Sequence, residues 1–259
     1  VMTASMRGGI TALASALLAL AAFLAHEMSI QVYVVAAVVA VGVCFFAAGW
    51  PRLLGVPAQR GSGVVIALAG LVGLAAAATA GGFRALNLVL AGGVIASFVH
   101  QMLRTDGRPR IVESLSSTVT GVIVVTLSAG WVSIVTRASQ PEAGDHPVPM
   151  AIILVGACSL TAATIGGAFF PRRISPYLSP LFAGIAGAAI GILFPSVGLW
   201  AGAATGVGLG ILYAGLHILF GLFPASGRYR PAIAAALLPV LSAGIVVYIV
   251  ARTIATVVV

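Results

Sequence analysis

The chain reads as an all-α, polytopic membrane helical bundle of about nine transmembrane helices, forming a single domain over 1–259. Three observations predict that class. Of its 259 residues, 61% are hydrophobic and only 7% are charged, whereas about a quarter of an ordinary soluble domain is charged. The mean hydropathy is +1.17. The apolar residues also gather into runs near the ~20 residues that a membrane span requires. One water-soluble core cannot hide so much apolar surface. The composition excludes a secreted disulfide scaffold, a nucleic-acid-binding domain and a disordered chain.

Nine runs follow one another along the chain: Gly9 to Ala25, Ile30 to Trp50, Ser62 to Ala80, Leu86 to Leu103, Thr118 to Thr136, Pro149 to Phe170, Leu181 to Phe194, Leu199 to Phe223 and Pro231 to Ala251. The first is followed by eight more, so it reads as a first span rather than a cleavable signal. The third opens on Gly61-Ser62-Gly63, a helix entry with Ser62 as its cap. The seventh is short, which fits a tilted or partly re-entrant segment. The connections are brief, and the 32 glycines spread through the runs allow close helix contact. Gly202 and Gly206, then Gly206 and Gly210, repeat the small-xxx-small spacing of packed spans.

Nine spans put the two termini on opposite sides. Alternating the connections gives one side ten arginines: Arg7, Arg52, Arg60, Arg104, Arg108, Arg110, Arg172, Arg173, Arg228 and Arg230. The other side receives three, Arg84, Arg137 and Arg252. Arginine excess marks the cytoplasmic side. The expectation is therefore a cytoplasmic N-terminus and an outside C-terminus, in the cell's inner (cytoplasmic) membrane. There is no lysine, and the arginines stand between apolar runs, so the net charge of +8 reflects topology rather than nucleic acid. Cys44 and Cys158 sit inside apolar runs and read as buried thiols, neither a bridge nor a metal site.

The acids are few: Glu27, Asp106, Glu113, Glu142 and Asp145, all in connections or at span ends. Proton-coupled transporters usually keep an intramembrane carboxylate, and a magnesium-dependent transferase needs carboxylates for its metal. Neither is offered in the middle of a span. His26 and His146 read as loop residues, and His100 and His217 lie within spans or near their ends without a second ligand at helical spacing. No cofactor or metal is expected. The most polar stretch on the arginine-rich side is Arg104-Thr-Asp-Gly-Arg-Pro-Arg-Ile-Val-Glu-Ser. Its Arg104, Arg108 and Arg110 suit a lipid phosphate; equally, the stretch makes a solvated turn with internal ion pairs such as Arg108 with Asp106. The pairs Arg172-Arg173 and Arg228-x-Arg230 would attract anionic headgroups, and such arginines also serve as plain anchors.

The stretch from Ser159 to Pro180, Ser-Leu-Thr-Ala-Ala-Thr-Ile-Gly-Gly-Ala-Phe-Phe-Pro-Arg-Arg-Ile-Ser-Pro-Tyr-Leu-Ser-Pro, resembles the signature region of the phosphatidate cytidylyltransferase (CDP-diacylglycerol synthase) family. That family has a span beginning Asp-Ser-x-Ala-Tyr, then a Gly, a Phe-Gly, two basic residues and a Ser-Pro segment. Pro224-Ala-Ser-Gly-Arg-Tyr-Arg-Pro is similar to its last loop, Asp-Arg-x-Asp before a span rich in Ala and Pro. The resemblance covers about residues 150–252. It implies a cytoplasmic site for CTP, phosphatidic acid and divalent metal. The positions matching the family's acids are Ser159, His217, Gly227 and Arg230, and none is acidic. Cytidylyl transfer needs metal to neutralise its phosphates.

The expected function is therefore a catalytically degenerate member of that kind, a lipid-binding or complex-forming subunit. Its partners would be anionic phospholipid and either other membrane subunits or further copies of the chain. The alternatives are an active transferase with a site displaced to Asp106 and Glu113, a lipid or small-solute transporter, and a purely structural subunit.

Overall fold

The computed structural model describes residues 2–26, 28, 30–79, 82–138, 149–171 and 173–257. Those residues form α1 (Ala4–Leu24), α2 (Gln31–Leu53), α3 (Gln59–Ala78), α4 (Gly82–Met102), α5 (Ile111–Ser128), α6 (Gly130–Ala138), α7 (Pro149–Phe169), α8 (Ser175–Leu193), α9 (Leu199–Gly221) and α10 (Tyr229–Val257). A 3₁₀ turn, Pro224–Gly227, precedes α10, and no strand occurs among the described residues. Nine segments among them are long and apolar enough to cross a membrane, compatible with a multi-pass membrane protein. The count matches the nine apolar runs because α5 and α6 together make one stretch, Ile111–Arg137.

Helices are what such a sequence must form in lipid, because each backbone donor and acceptor then finds its partner within its own segment. The side chains are sorted accordingly. Leu13, Leu17, Phe45, Leu68, Leu88 and Ile185 are exposed on the outer surface, while Ser15, Ser62, Ser97, Ser114, Thr118 and Ser128 are buried. Lipid tails are as apolar as leucine, so large apolar groups gain nothing by turning inward. Small and weakly polar groups allow close backbone contact instead. Several buried hydroxyls bond within their own helix, as Thr126 does to Val122 O and Ser97 to Gly93 O.

The α5–α6 stretch and α10 are the most buried spans; α4 and α8 are the least. α2 and α3 pack beside this centre, with α4 outside them, and α1, α7, α8 and α9 form the other flank. The single-residue interruption at Ala129 lies where α6 crosses α10. A Cβ on Gly130 would overlap the Gly244 carbonyl, so only glycine allows the crossing. Trp131, fully buried, donates its indole N–H to Val240 O at 2.9 Å. Trp50 does the same to Ser117 O at 2.9 Å, tying α2 to α5. A buried indole without such an acceptor would be costly.

Three details differ from the sequence expectation. The seventh span is a continuous helix, because α8 begins at Ser175, six residues ahead of the apolar run. Pro176 occupies an early helical position, where its missing N–H is not needed. Ser62 caps nothing, since α3 begins at Gln59; its hydroxyl instead accepts a 2.9 Å bond from Thr118. Cys44 is exposed on the outer face of α2, and only Cys158 is partly covered.

The arginine-rich connections meet at one end of the bundle. The Met2 N–H bonds Gly227 O at 2.9 Å, joining the start of the chain to the turn before α10. Arg110 donates to Gly55 O at 3.1 Å, joining the α4–α5 and α2–α3 connections. Gly49, near the end of α2, lies against the Arg230 carbonyl at the start of α10.

Candidate functional site

The loop from Arg104 to Arg110 is held by its own charges. Arg104 is buried and forms a bidentate pair with Asp106, at 3.1 and 2.7 Å. A third contact runs to Gln101 Oε1 at 2.8 Å, and Gln101 donates in turn to Ser114. Asp106 therefore pairs with Arg104; what Arg108 supplies to it is a backbone N–H, at 3.2 Å. The Arg108 guanidinium bonds the carbonyls of Met102 and Arg104, which closes the end of α4. Arg110 pairs with Glu113 in the first turn of α5. Arg108 and Arg110 both have positive φ, 52° and 51°, a strained backbone that these contacts hold in place. All three guanidinium groups thus have partners inside the protein.

The Arg104 guanidinium holds the Asp106 carboxyl below its ordinary value of 3.8. A lowered folded-state pKa stabilises the fold above the unfolded-state value, and that stabilisation is lost as pH falls through the folded value. Wild type should therefore melt above Asp106→Asn at neutral pH. The gap should narrow only as pH drops below about 4, read as the melting temperature of detergent-solubilised protein across a pH series.

The positions matched to the family's acids do not converge on one point. Ser159 lies in mid-α7, fully buried, its Oγ without a hydrogen-bond partner and packed toward Gly187 of α8. That contact is dry and tight: a Cβ on Gly187 would overlap the Gly202 backbone and touch Ser159 Oγ. His217 lies on α9, half-buried, 3.3 Å from the Tyr213 hydroxyl through Nδ1. Gly227 ends the 3₁₀ turn and accepts from Met2. Arg228 and Arg230 are exposed at the start of α10, and Arg173 is exposed just before α8. Arg172, Glu27, Glu142, Asp145 and His146 lie outside the described residues.

Two of these positions are linked by a residue that sequence reasoning counted only toward topology. Arg7, on the first turn of α1, is buried and donates to the Ser226 carbonyl and hydroxyl at 3.5 and 3.4 Å. Arg7 and His217 line one small cavity together with Thr11, Tyr213 and Phe220. Its volume is about 10 Å³, about one water. Thr11 fixes α1 against α10 by bonding Ala236 O at 2.7 Å. The only signal for Arg7 in the sequence was an arginine ahead of a span, which every membrane protein supplies as an anchor.

His100 faces the α3 backbone, its ring filling the notch at Gly61, and its Nε2 has no hydrogen-bond partner. Among the described residues, no three His, Cys, Asp or Glu side chains lie close enough to hold a metal ion together. A larger cavity nearby is lined by apolar side chains. At about 410 Å³, it opens between α1, α2 and α10, with Leu17, Phe45, Trp131 and Leu241 in its walls. No protein-family model, no curated protein and no solved structure matches this chain.

Proposed function

We propose that the chain is a cytidylyltransferase-like membrane protein without the transfer chemistry, acting as a lipid-binding or complex-forming subunit. The observation that carries this is Arg7. Where the resemblance calls for carboxylates around a divalent cation, His217 and the turn ending at Gly227 close on a buried guanidinium. Divalent magnesium or calcium is held by oxygen ligands, chiefly carboxylates. A buried arginine repels a cation and favours an anion or a neutral acceptor at the same place. The substitution of Ser for the family's acid in mid-α7 points the same way. The apolar groove between α1, α2 and α10 supports the lipid-binding or partner-binding half of the reading. A hollow of that size is filled in a bilayer by an acyl chain or by a neighbouring span. The arginine-rich end would face the cytoplasm of the inner membrane.

The test is an assay on purified protein with phosphatidic acid, CTP and magnesium. No CDP-diacylglycerol above the background of mock-purified membranes is expected, and robust turnover overturns the proposal. Co-purification in mild detergent separates its two halves. A stoichiometric membrane protein supports the subunit role, and an enriched anionic lipid without a protein partner supports the lipid role.

A further inference from the structure

Two lipid-facing grooves of similar size can be compared outside the site just described. The one between α3 and α4, about 430 Å³, is lined by Leu68, Val72, Leu88, Ala96 and their neighbours, with no charged side chain. The one between α2 and α3, also about 430 Å³, differs at its arginine-rich end. Arg52, Gln59 and Arg60 stand there, while Cys44, Ala47, Val64 and Ala67 line the apolar remainder. Arg60 is exposed, and Arg52 is half-exposed with one guanidinium nitrogen on the Ala48 carbonyl of its own helix. Neither forms an ion pair with a described carboxylate: Asp106 is taken by Arg104 and Glu113 by Arg110. The groove thus joins two unneutralised cations at the polar end to an apolar channel in the span region.

We infer that the α2–α3 groove binds an anionic glycerophospholipid. Arg52 and Arg60 hold the phosphate, Gln59 donates to the headgroup, and one acyl chain runs past Val64 and Cys44. The charge pattern selects the ligand. Two guanidinium groups at headgroup depth favour a phosphate whose charge is not cancelled by an ammonium, so phosphatidylglycerol should displace phosphatidylcholine. A soluble phosphate would gain nothing from the apolar channel. The inference does not depend on the family resemblance, and it uses arginines that the topology count alone had explained.

Native mass spectrometry of the full chain from micelles carrying equal phosphatidylglycerol and phosphatidylcholine tests it. Wild type should retain phosphatidylglycerol preferentially. In Arg52→Gln/Arg60→Gln that preference should fall by roughly tenfold, while Arg137→Gln/Arg252→Gln, an equal charge loss at exposed sites, should keep it. Val64→Trp fills the groove from an exposed position without touching charge, and it should lower retention even if the arginine pair variant folds poorly. An absence of preference in wild type, or equal loss in both arginine pairs, overturns the inference. Retention in Arg52→Gln/Arg60→Gln with loss in Arg228→Gln/Arg230→Gln also overturns it, and moves the lipid contact to the start of α10.

Discussion

Gly206→Leu is expected to abolish the folded bundle in detergent, or to lower its stability by about 3 kcal/mol or more. The reason lies in the close backbone contact between α8 and α9. α8 presents Ser179, Ala183, Gly187 and Gly191 at four-residue spacing, and Gly198 just ahead of α9 answers with Gly202, Gly206 and Gly210 on it. A Cβ on Gly206 would overlap the Ala183 carbonyl, and one on Gly202 the Gly187 carbonyl. What any side chain would meet is backbone, which cannot turn aside as a rotamer can. The two helices would have to separate along their whole contact, losing the dispersion that drives association in lipid. Gly208 and Gly215 have open space around them, so Gly208→Leu is the matched control and should leave the melting profile nearly unchanged. Fluorescence-detected size-exclusion chromatography after a temperature series reads both variants. Equal behaviour of the two would show that the α8–α9 contact is not the constraint.

The second large effect concerns Ser159. Ser159→Asp should fail to accumulate as folded protein, because it places a carboxylate in a dry helix contact without a partner. Burial of an unpaired ion costs several kcal/mol even after relaxation. Ser159→Ala should be neutral or stabilising by up to ~1 kcal/mol, since the hydroxyl has no hydrogen-bond partner there. The pair separates two accounts of this position. If mid-α7 were a latent metal site, the aspartate would fold and its melting temperature would rise with added magnesium. A folded, magnesium-responsive Ser159→Asp would overturn the reading of mid-α7 as a dry helix contact, while the wild type, with serine there, would still lack the metal ligand.

The spans were readable because lipid simplifies the problem: a run of about 20 apolar residues has few other fates. Their ends were less so. The helix ahead of Leu181 could not be foreseen from hydropathy, since Ser175 to Pro180 is polar enough to end a run yet continues α8. The Ala129 interruption was hidden because it depends on the approach of Gly130 to Gly244, more than a hundred residues away along the chain. Cys44 was misplaced for a different reason. In a soluble protein a cysteine in an apolar run is inside, but in a bilayer the outer face of a helix is equally apolar and equally available. The Arg104–Arg110 stretch was visible as a polar cluster, and so was the chance of internal pairing. The partner of Asp106 was not, because Arg104 and Arg108 each stand two residues away from it. Arg7 was beyond sequence reasoning altogether. Its interest arises only from where residues 213 to 236 return to meet it.

That return has a consequence for how the protein is made. α1 leaves the ribosome well before Ser226, which receives Arg7, and Ala236, which receives Thr11, 219 and 225 residues further along the chain. Until those residues are made, the Arg7 guanidinium and the Thr11 hydroxyl of α1 lack those acceptors. α7, which packs on α1 more extensively than α10 does, is made before α10, so α1 has a neighbour in place before those acceptors arrive. α10 thus fastens α1 like a clasp, and a chain interrupted before α10 would leave Arg7 and Thr11 without these acceptors.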